Sequence, residues 1–137
     1  DGDGDSADER LGREPAESPT SKLRFKEFFK AFKAAEKEGP QEAEAMANRW
    51  LELLPEKIHW KVLLELADLH KRENRLAKAR AMYAHVTQLQ PLGHQGWLER
   101  AKLEEECGEL RRCQETLELG LAACGSHESL LLKAVKL

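Results

Sequence analysis

The sequence predicts an all-α protein in which helical hairpins stack as a repeat array. A unit of about thirty-four residues occurs twice in succession, so that Leu63 falls on Trp97 and Ala67 on Ala101. No stretch alternates apolar and polar residues between turn signals as a β-strand does. Since each unit of such an array buries its apolar face against its neighbours, we expect a scaffold that presents a surface rather than a catalytic pocket. The other matched pairs are Leu69 with Leu103, Asn74 with Gly108, Leu76 with Leu110, Ala79 with Cys113, and Tyr83 with Leu117.

The N-terminal residues 1–20 are predicted to be a disordered acidic tail, followed by a helical-repeat domain over residues 21–137. The tail has no aromatic residue and only Leu11 as a large aliphatic one, so it cannot bury enough apolar surface to offset its conformational entropy. It carries a charge of −5, which leaves +2 of the chain's net −3 for the remainder. A domain so close to neutrality is not a general polyanion binder, because those are usually strongly basic.

The first hairpin is predicted over about residues 22–54. Thr20 or Ser21 can cap its first helix, and the Gly39-Pro40 pair ends that helix. Pro55 ends the second helix, because a proline cannot continue the helical hydrogen-bond pattern.

Two further hairpins are predicted over about residues 57–90 and 93–123. Asn74 and Gly108 stand at their turns, where a left-handed conformation costs glycine least and asparagine next least. Small residues are needed where two helix axes approach, and large ones fill the space beside them. The residues that define the repeat are therefore Ala67, Ala79, Tyr83, Pro91, Trp97, Ala101, Gly108, Cys113 and Leu117.

Residues 127–137 are predicted to start a fourth repeat, which makes about seven helices in total. Ser126 is the expected cap, and the repeat displacement places Leu131 at the position of Trp97 and Val135 at that of Ala101. The chain begins with Asp1 and ends in a helical pattern, so we expect a fragment of a longer protein. We therefore expect self-association through the C-terminal helix, whose uncovered apolar face would include some of Leu130, Leu132 and Leu137.

Part of the repeat resembles the tetratricopeptide (TPR) family. Ala79, Tyr83 four residues later and then Pro91 resemble the A-x3-F…P half of the TPR motif. The segment 97–105 (WLERAKLEE) with Gly108 resembles more closely the half-a-tetratricopeptide (HAT) pattern, which has an early Trp, an Ala four residues on and then a Glu.

The HAT pattern also has an Ala-Arg pair in its second helix. The Ala79-Arg80 pair matches it, whereas Arg112-Cys113 departs from it. The resemblance covers about residues 22–137 and implies antiparallel hairpins stacked in a right-handed superhelix, an α-solenoid.

The HAT resemblance implies a protein-interaction scaffold of RNA processing, and it favours the nucleus over the cytoplasm. The TPR resemblance instead implies a peptide-binding adaptor with no connection to RNA. One TPR form clamps a C-terminal carboxylate with Lys and Asn, but its groove positions hold Leu64, Asp68, Leu98 and Lys102 here. Only Lys102 is compatible, so such a clamp is not expected.

The first helix carries a lysine stripe, whose five members fall within about 80° of one another, beside four phenylalanines. An anion-facing edge for RNA or an acidic partner is one interpretation, and a solvated face beside a packing stripe is the other. Trp60 stands off the repeat register, and tryptophan is common in interface hot spots. The candidate partner surface comprises Lys22, Lys26, Lys30, Lys33, Lys37, Phe28, Trp60, Leu64, Asp68, Leu98 and Lys102.

No enzyme, metal or cofactor motif is found in the sequence. The three cysteines form no C-x-x-C pair, and the five histidines have no metal-ligand spacing. The odd number of cysteines argues against a disulfide framework and fits a reducing, intracellular compartment. Apolar runs are too short to span a membrane. We therefore predict a non-catalytic protein-binding scaffold, with direct RNA binding through the lysine stripe as an alternative.

Overall fold

The computed structural model describes residues 17–125 and 127–136 of the chain. The predictions for residues 1–16, for Ser126 as a cap and for Leu137 fall outside these ranges. Within them the chain is all-α, as predicted, and forms seven α-helices and one short 3₁₀ helix. These are α1 (Pro19–Glu36), α2 (Pro40–Leu53), the 3₁₀ helix (Glu56–Ile58), α3 (His59–Arg72), α4 (Leu76–Leu89), α5 (His94–Glu106), α6 (Leu110–Cys124) and α7 (Glu128–Val135).

The first helix begins earlier than predicted, and the cap prediction was wrong. Ser18, not Thr20 or Ser21, is the N-cap, and its side-chain oxygen accepts a hydrogen bond from the Ser21 backbone N–H at 3.1 Å. Pro19 follows as the first helical residue, because its fixed φ suits that position and its missing N–H costs nothing there. Residues 19 and 20, which were assigned to the tail, are therefore helical.

The two turns predicted from Asn74 and Gly108 have the expected backbone. Asn74 has φ 62° and Gly108 has φ 79°, both in the left-handed region. Each turn is closed by a backbone hydrogen bond to the preceding helix, from Arg75 N–H to His70 C=O at 2.8 Å and from Glu109 N–H to Glu104 C=O at 2.8 Å. The same local chemistry thus ends the first helix of both hairpins.

The chain divides into two compact units, and the first spans Glu17–Met82. Its core contains Phe28 and Phe32 from α1, and both side chains are fully buried. The edge of the Trp50 ring meets the Phe28 ring with centroids 6.1 Å apart. Ala35 of α1 and Leu54, the C-cap of α2, also belong to this core. The rest of it comes from α2, the 3₁₀ helix and α3, namely Ala43, Ala47, Ile58, Val62, Leu66 and Leu69.

The second unit contains the residues from Tyr83 onward. Its core joins α5, α6 and α7 and is formed by Trp97, Ala101, Cys113, Leu117, Cys124 and Leu130. The Trp97 indole N–H donates to the carbonyl of Pro91 at 2.9 Å. The proline that ends the middle repeat is therefore also a hydrogen-bond acceptor for the tryptophan of the next one.

Gly120 allows α6 to approach Trp97 closely, which the sequence analysis missed. A Cβ atom at residue 120 would lie 2.8 Å from Trp97 Cβ and 2.9 Å from its Cγ, distances that real Cβ atoms do not tolerate. The glycine lies in the interior of α6, where it weakens the helix. Its presence is explained by this close approach, which only glycine permits.

The small residues of the repeat are all buried, as their assignment to close contacts requires. Ala67, Ala79, Ala101 and Cys113 have no exposed surface, and Tyr83 and Leu117 are buried as well. Burial also raises the pKa of the Cys113 thiol, with smaller contributions from nearby charges such as Glu105. Cys113 therefore acts as a small core residue and not as a reactive thiolate.

Candidate functional site

The outer face of α1 carries the predicted lysine stripe, and the structure leaves it largely exposed. Lys22, Lys26, Lys30 and Lys37 are exposed, whereas Lys33 is half-buried. Lys33 reaches Glu36 with its ammonium group, with Nζ and Oε1 3.3 Å apart. Within residues 17–125 and 127–136, no acidic side chain forms an ion pair with the four exposed lysines.

A groove of about 580 Å³ runs along this face, and we call it the α1 groove. Four of the five stripe lysines line it, and none of the lining residues in the described part of the chain is acidic. Phe29 is 37% exposed, and Phe25 is half-buried. The groove therefore combines a positive rim with an aromatic floor. It is lined by Phe25, Lys26, Phe29, Lys30, Lys33, Ala34 and Lys37.

Lysine ammonium groups cover the faces of both aromatic rings of the groove. Lys61 Nζ lies 4.3 Å from the centroid of Phe25, and Lys33 Nζ lies 5.2 Å from that of Phe29. Lys61 is itself held by Glu17, whose two carboxylate oxygens accept from it at 2.8 Å. The cation–π contacts keep these two lysines beside the aromatic floor.

Two acidic side chains whose charges interact with Lys33 have shifted pKa values. Burial raises the pKa of Glu65, and the nearby charge of Asp68 raises it further. For Glu36, burial acts in the same direction, but hydrogen bonds from Arg72 and Lys33 outweigh it and lower the pKa below its ordinary value. Glu36 is thus an anion whose charge is already compensated by its two basic neighbours.

Two residues predicted for the partner surface are buried, and these predictions were wrong. Phe28 has no exposed surface because it packs between Phe25, Phe32 and Trp50. Leu64 is only 8% exposed, so it cannot serve as an open groove position. Phe29 is the exposed phenylalanine. It is also the one nearest to the lysines on the helical wheel, and that position is the sequence signal for its exposure.

The other predicted surface residues are half-buried. Trp60 and Asp68 belong to the first unit, and Leu98 and Lys102 lie one turn apart on α5. Leu98 packs against the core of the second unit. Lys102 Nζ lies 3.5 Å from Glu99 Oε2, so its charge is partly compensated on its own helix.

A second surface lies on α7, where three apolar side chains are exposed. Leu131 is 42% exposed, Leu132 is 53% exposed and Val135 is 82% exposed, and we call these three residues the α7 face. Leu130, also named as uncovered from the sequence, is instead fully buried against Trp97 and Leu117 in the core of the second unit. The helix is capped by His127, whose Nδ1 accepts from the Ser129 N–H at 3.2 Å.

An apolar groove lies beside the α7 face. It measures about 540 Å³, and its apolar lining comes from Leu110, Leu117 and Leu121 of α6 and Ala134 of α7. Three polar or charged residues of α6 complete the lining, namely Arg111, Gln114 and Glu118. Leu110 is 59% exposed. Exposed apolar patches of this kind mark surfaces that bind other proteins.

The described residues contain neither a cluster of three metal ligands nor a helix that could span a membrane. Among them, no three His, Cys, Asp or Glu side chains are grouped so that they could hold a metal ion. No helix in the described part of the chain has both the length and the apolar character needed to cross a bilayer.

The comparison with known proteins agrees with the repeat architecture. The sequence model of the PRP6 TPR-like domain matches residues 53–137. A TPR-containing protein of Dictyostelium discoideum is 52% identical over 123 residues, which are 90% of this chain but only 9% of that protein. TPR-like repeat domains are generally non-catalytic scaffolds that mediate protein interactions. Since the family model covers more than half of the chain, the chain belongs to the PRP6 TPR-like domain family.

Proposed function

We propose that this chain is a non-catalytic protein-interaction module of a nuclear RNA-processing assembly. The family supports this, because PRP6 is a family of splicing factors and TPR-like domains generally bind proteins. The chain spans 9% of its Dictyostelium relative, so the proposal concerns the module and not a whole protein's activity. The observation that carries it is the exposed α7 face.

The repeat indicates what kind of element would pack on the α7 face. Leu131 and Val135 occupy the positions that Trp97 and Ala101 hold one repeat earlier. In α5 those positions are 8% and 0% exposed, and both residues belong to the core that α5 forms with α6. In α7 they are 42% and 82% exposed, so the side chains that a hairpin would cover face solvent. A helix that packs on this face, from a further segment of a longer chain or from another molecule, would bury them.

We expect the chain to self-associate through the α7 face. Sedimentation velocity over a range of concentrations should show a monomer in equilibrium with a larger species. The double variant Leu131→Glu/Val135→Glu should shift this equilibrium to the monomer, because it places two charges where apolar side chains would be buried. The matched control is Leu53→Glu/Leu89→Glu, which makes the same kind of change at two exposed apolar side chains of α2 and α4, outside the α7 face.

A wild-type chain that stays monomeric at high concentration would contradict this self-association. Equal shifts of the monomer equilibrium in the variant and in the control would also contradict it, because self-association would then not depend on the α7 face. Unchanged helicity in circular dichroism would show that the variants remain folded.

The link to RNA processing is tested by co-purification from nuclear extract with and without ribonuclease. A protein scaffold should retain spliceosomal proteins after the RNA has been digested. Loss of these proteins on ribonuclease treatment would favour the alternative, direct RNA binding through the lysine stripe. Retention of partners that include no RNA-processing protein would favour a TPR-type adaptor.

A further inference from the structure

We propose that the α1 groove binds an acidic peptide segment of a partner protein, and that this segment carries at least one large apolar side chain. This inference rests on the proposed function in one respect, because it names the chemistry of a protein partner of the module. It uses a different unit of the chain from the α7 face, so either proposal can fail alone. The groove also precedes residues 53–137, which the family model matches.

The charges of the groove select an acidic ligand. Lys26, Lys30, Lys33 and Lys37 follow one another over about three helical turns, which an acidic helix or a short extended segment can span. Lys33 is paired with Glu36, which Arg72 also compensates. The other three lysines are not cancelled by Glu27, which lies beside Arg24 with Oε1 and Nε 3.7 Å apart. Lys26, Lys30 and Lys37 therefore form no ion pair with an acidic side chain among the described residues.

The floor of the groove selects an apolar side chain in the same ligand. Phe29 is 37% exposed, and Phe25 lies beside it with ring centroids 6.1 Å apart. A purely acidic chain would leave this aromatic surface in contact with water. A leucine or phenylalanine between the carboxylates would cover it, and the lysine stems would add further apolar contact.

The arrangement of the rings favours a peptide over single-stranded RNA. Bases bind single-strand proteins by stacking on free aromatic faces. Here the ammonium groups of Lys61 and Lys33 already lie over Phe25 and Phe29, at 4.3 and 5.2 Å from the ring centroids. A base that stacked on these rings would compete with the two ammonium groups, whereas an aliphatic or aromatic side chain can pack beside them.

Fluorescence anisotropy with the full chain tests the proposal. The probe is a short labelled glutamate–leucine peptide, and the reference probes are the same peptide with glutamine for glutamate and an oligouridylate of equal charge. We expect the acidic peptide to bind most tightly and its binding to weaken as salt rises. Lys26→Glu/Lys30→Glu should weaken binding by about tenfold.

Two variants separate the groove from general electrostatics. Lys57→Glu/Lys78→Glu makes the same charge change at exposed sites of the same unit, outside the groove lining, and should leave binding almost unchanged. Phe29→Ala leaves every charge in place and should still weaken binding by about fivefold, because it removes the exposed aromatic contact. Circular dichroism reports whether each variant is folded.

Several results would overturn the proposal. One is that the full chain does not bind the acidic peptide. Another is that the two lysine double variants weaken peptide binding equally. Tighter binding of the oligouridylate would identify the α1 groove as an RNA surface. If the peptide bound only after the acidic residues at positions 1–14 had been neutralised, the occupant would be the chain's own N-terminal segment.

Discussion

Replacing Trp97 with alanine is expected to lower the free energy of unfolding by about 3–5 kcal/mol. The side chain is 8% exposed, and Gly120 is the residue that makes room for it. Truncation would leave a cavity between α5 and α6 and would remove the hydrogen bond from Trp97 to the Pro91 carbonyl. That carbonyl keeps a weaker donor, the Cys124 thiol at 3.4 Å. Urea unfolding followed by circular dichroism measures the loss.

The chain provides a matched control for this prediction in Trp60. It is half-buried and stands outside the repeat register, so Trp60→Ala should cost clearly less. Trp97→Phe should fall between the wild type and Trp97→Ala, because it keeps a ring in the cavity and loses the hydrogen bond. Equal losses at Trp60 and Trp97 would show that Trp97 has no special place in the repeat.

Replacing Ala101 or Ala67 with leucine is expected to destabilise the chain by about 1–3 kcal/mol. Both alanines have no exposed surface, so three additional carbon atoms must displace their neighbours. Ala101 belongs to the cluster that holds Trp97, Cys113 and Leu117, where overpacking would push α5 and α6 apart. Urea melts of the two single variants give the cost in each unit.

The control for overpacking is Ala122→Leu on the exposed side of α6. Leucine is a good helix former, so this change should alter the free energy of unfolding by less than about 0.5 kcal/mol. A neutral result at Ala101 or Ala67 would mean that the thirty-four-residue register places the wrong residues at the close contacts.

Features that depend on neighbours in the sequence were predicted well. The turns at Asn74 and Gly108 follow from the backbone preferences of these two residue types, and the structure gives both a positive φ. The helix ends at Pro55 and Pro91 follow from the missing N–H of proline. The cap of α1 was misplaced because Ser18, Thr20 and Ser21 are all suitable residues, and only the position of Pro19 at the first helical turn separates them.

The candidate surfaces were predicted only in part, because exposure depends on what packs against each face. The helical wheel found the lysine stripe and places Phe29 nearest to it, but it does not show which phenylalanines other helices cover. Phe28 is covered by Trp50, and Phe29 is not. On α7, the apolar pattern indicated an uncovered face, yet it could not show that Leu130 points into the core while Leu132 stays exposed.

The sequence by itself determined the repeat, the helices, the turns and the family, because each of these is encoded by residue spacing or by local backbone preference. The tertiary structure decided which side chains are available to a partner. It buried Phe28 and Leu64, exposed Phe29 and Val135, and gave Gly120 its role beside Trp97. These outcomes depend on contacts between helices that are far apart in the chain, and the period of a single helix does not carry that information.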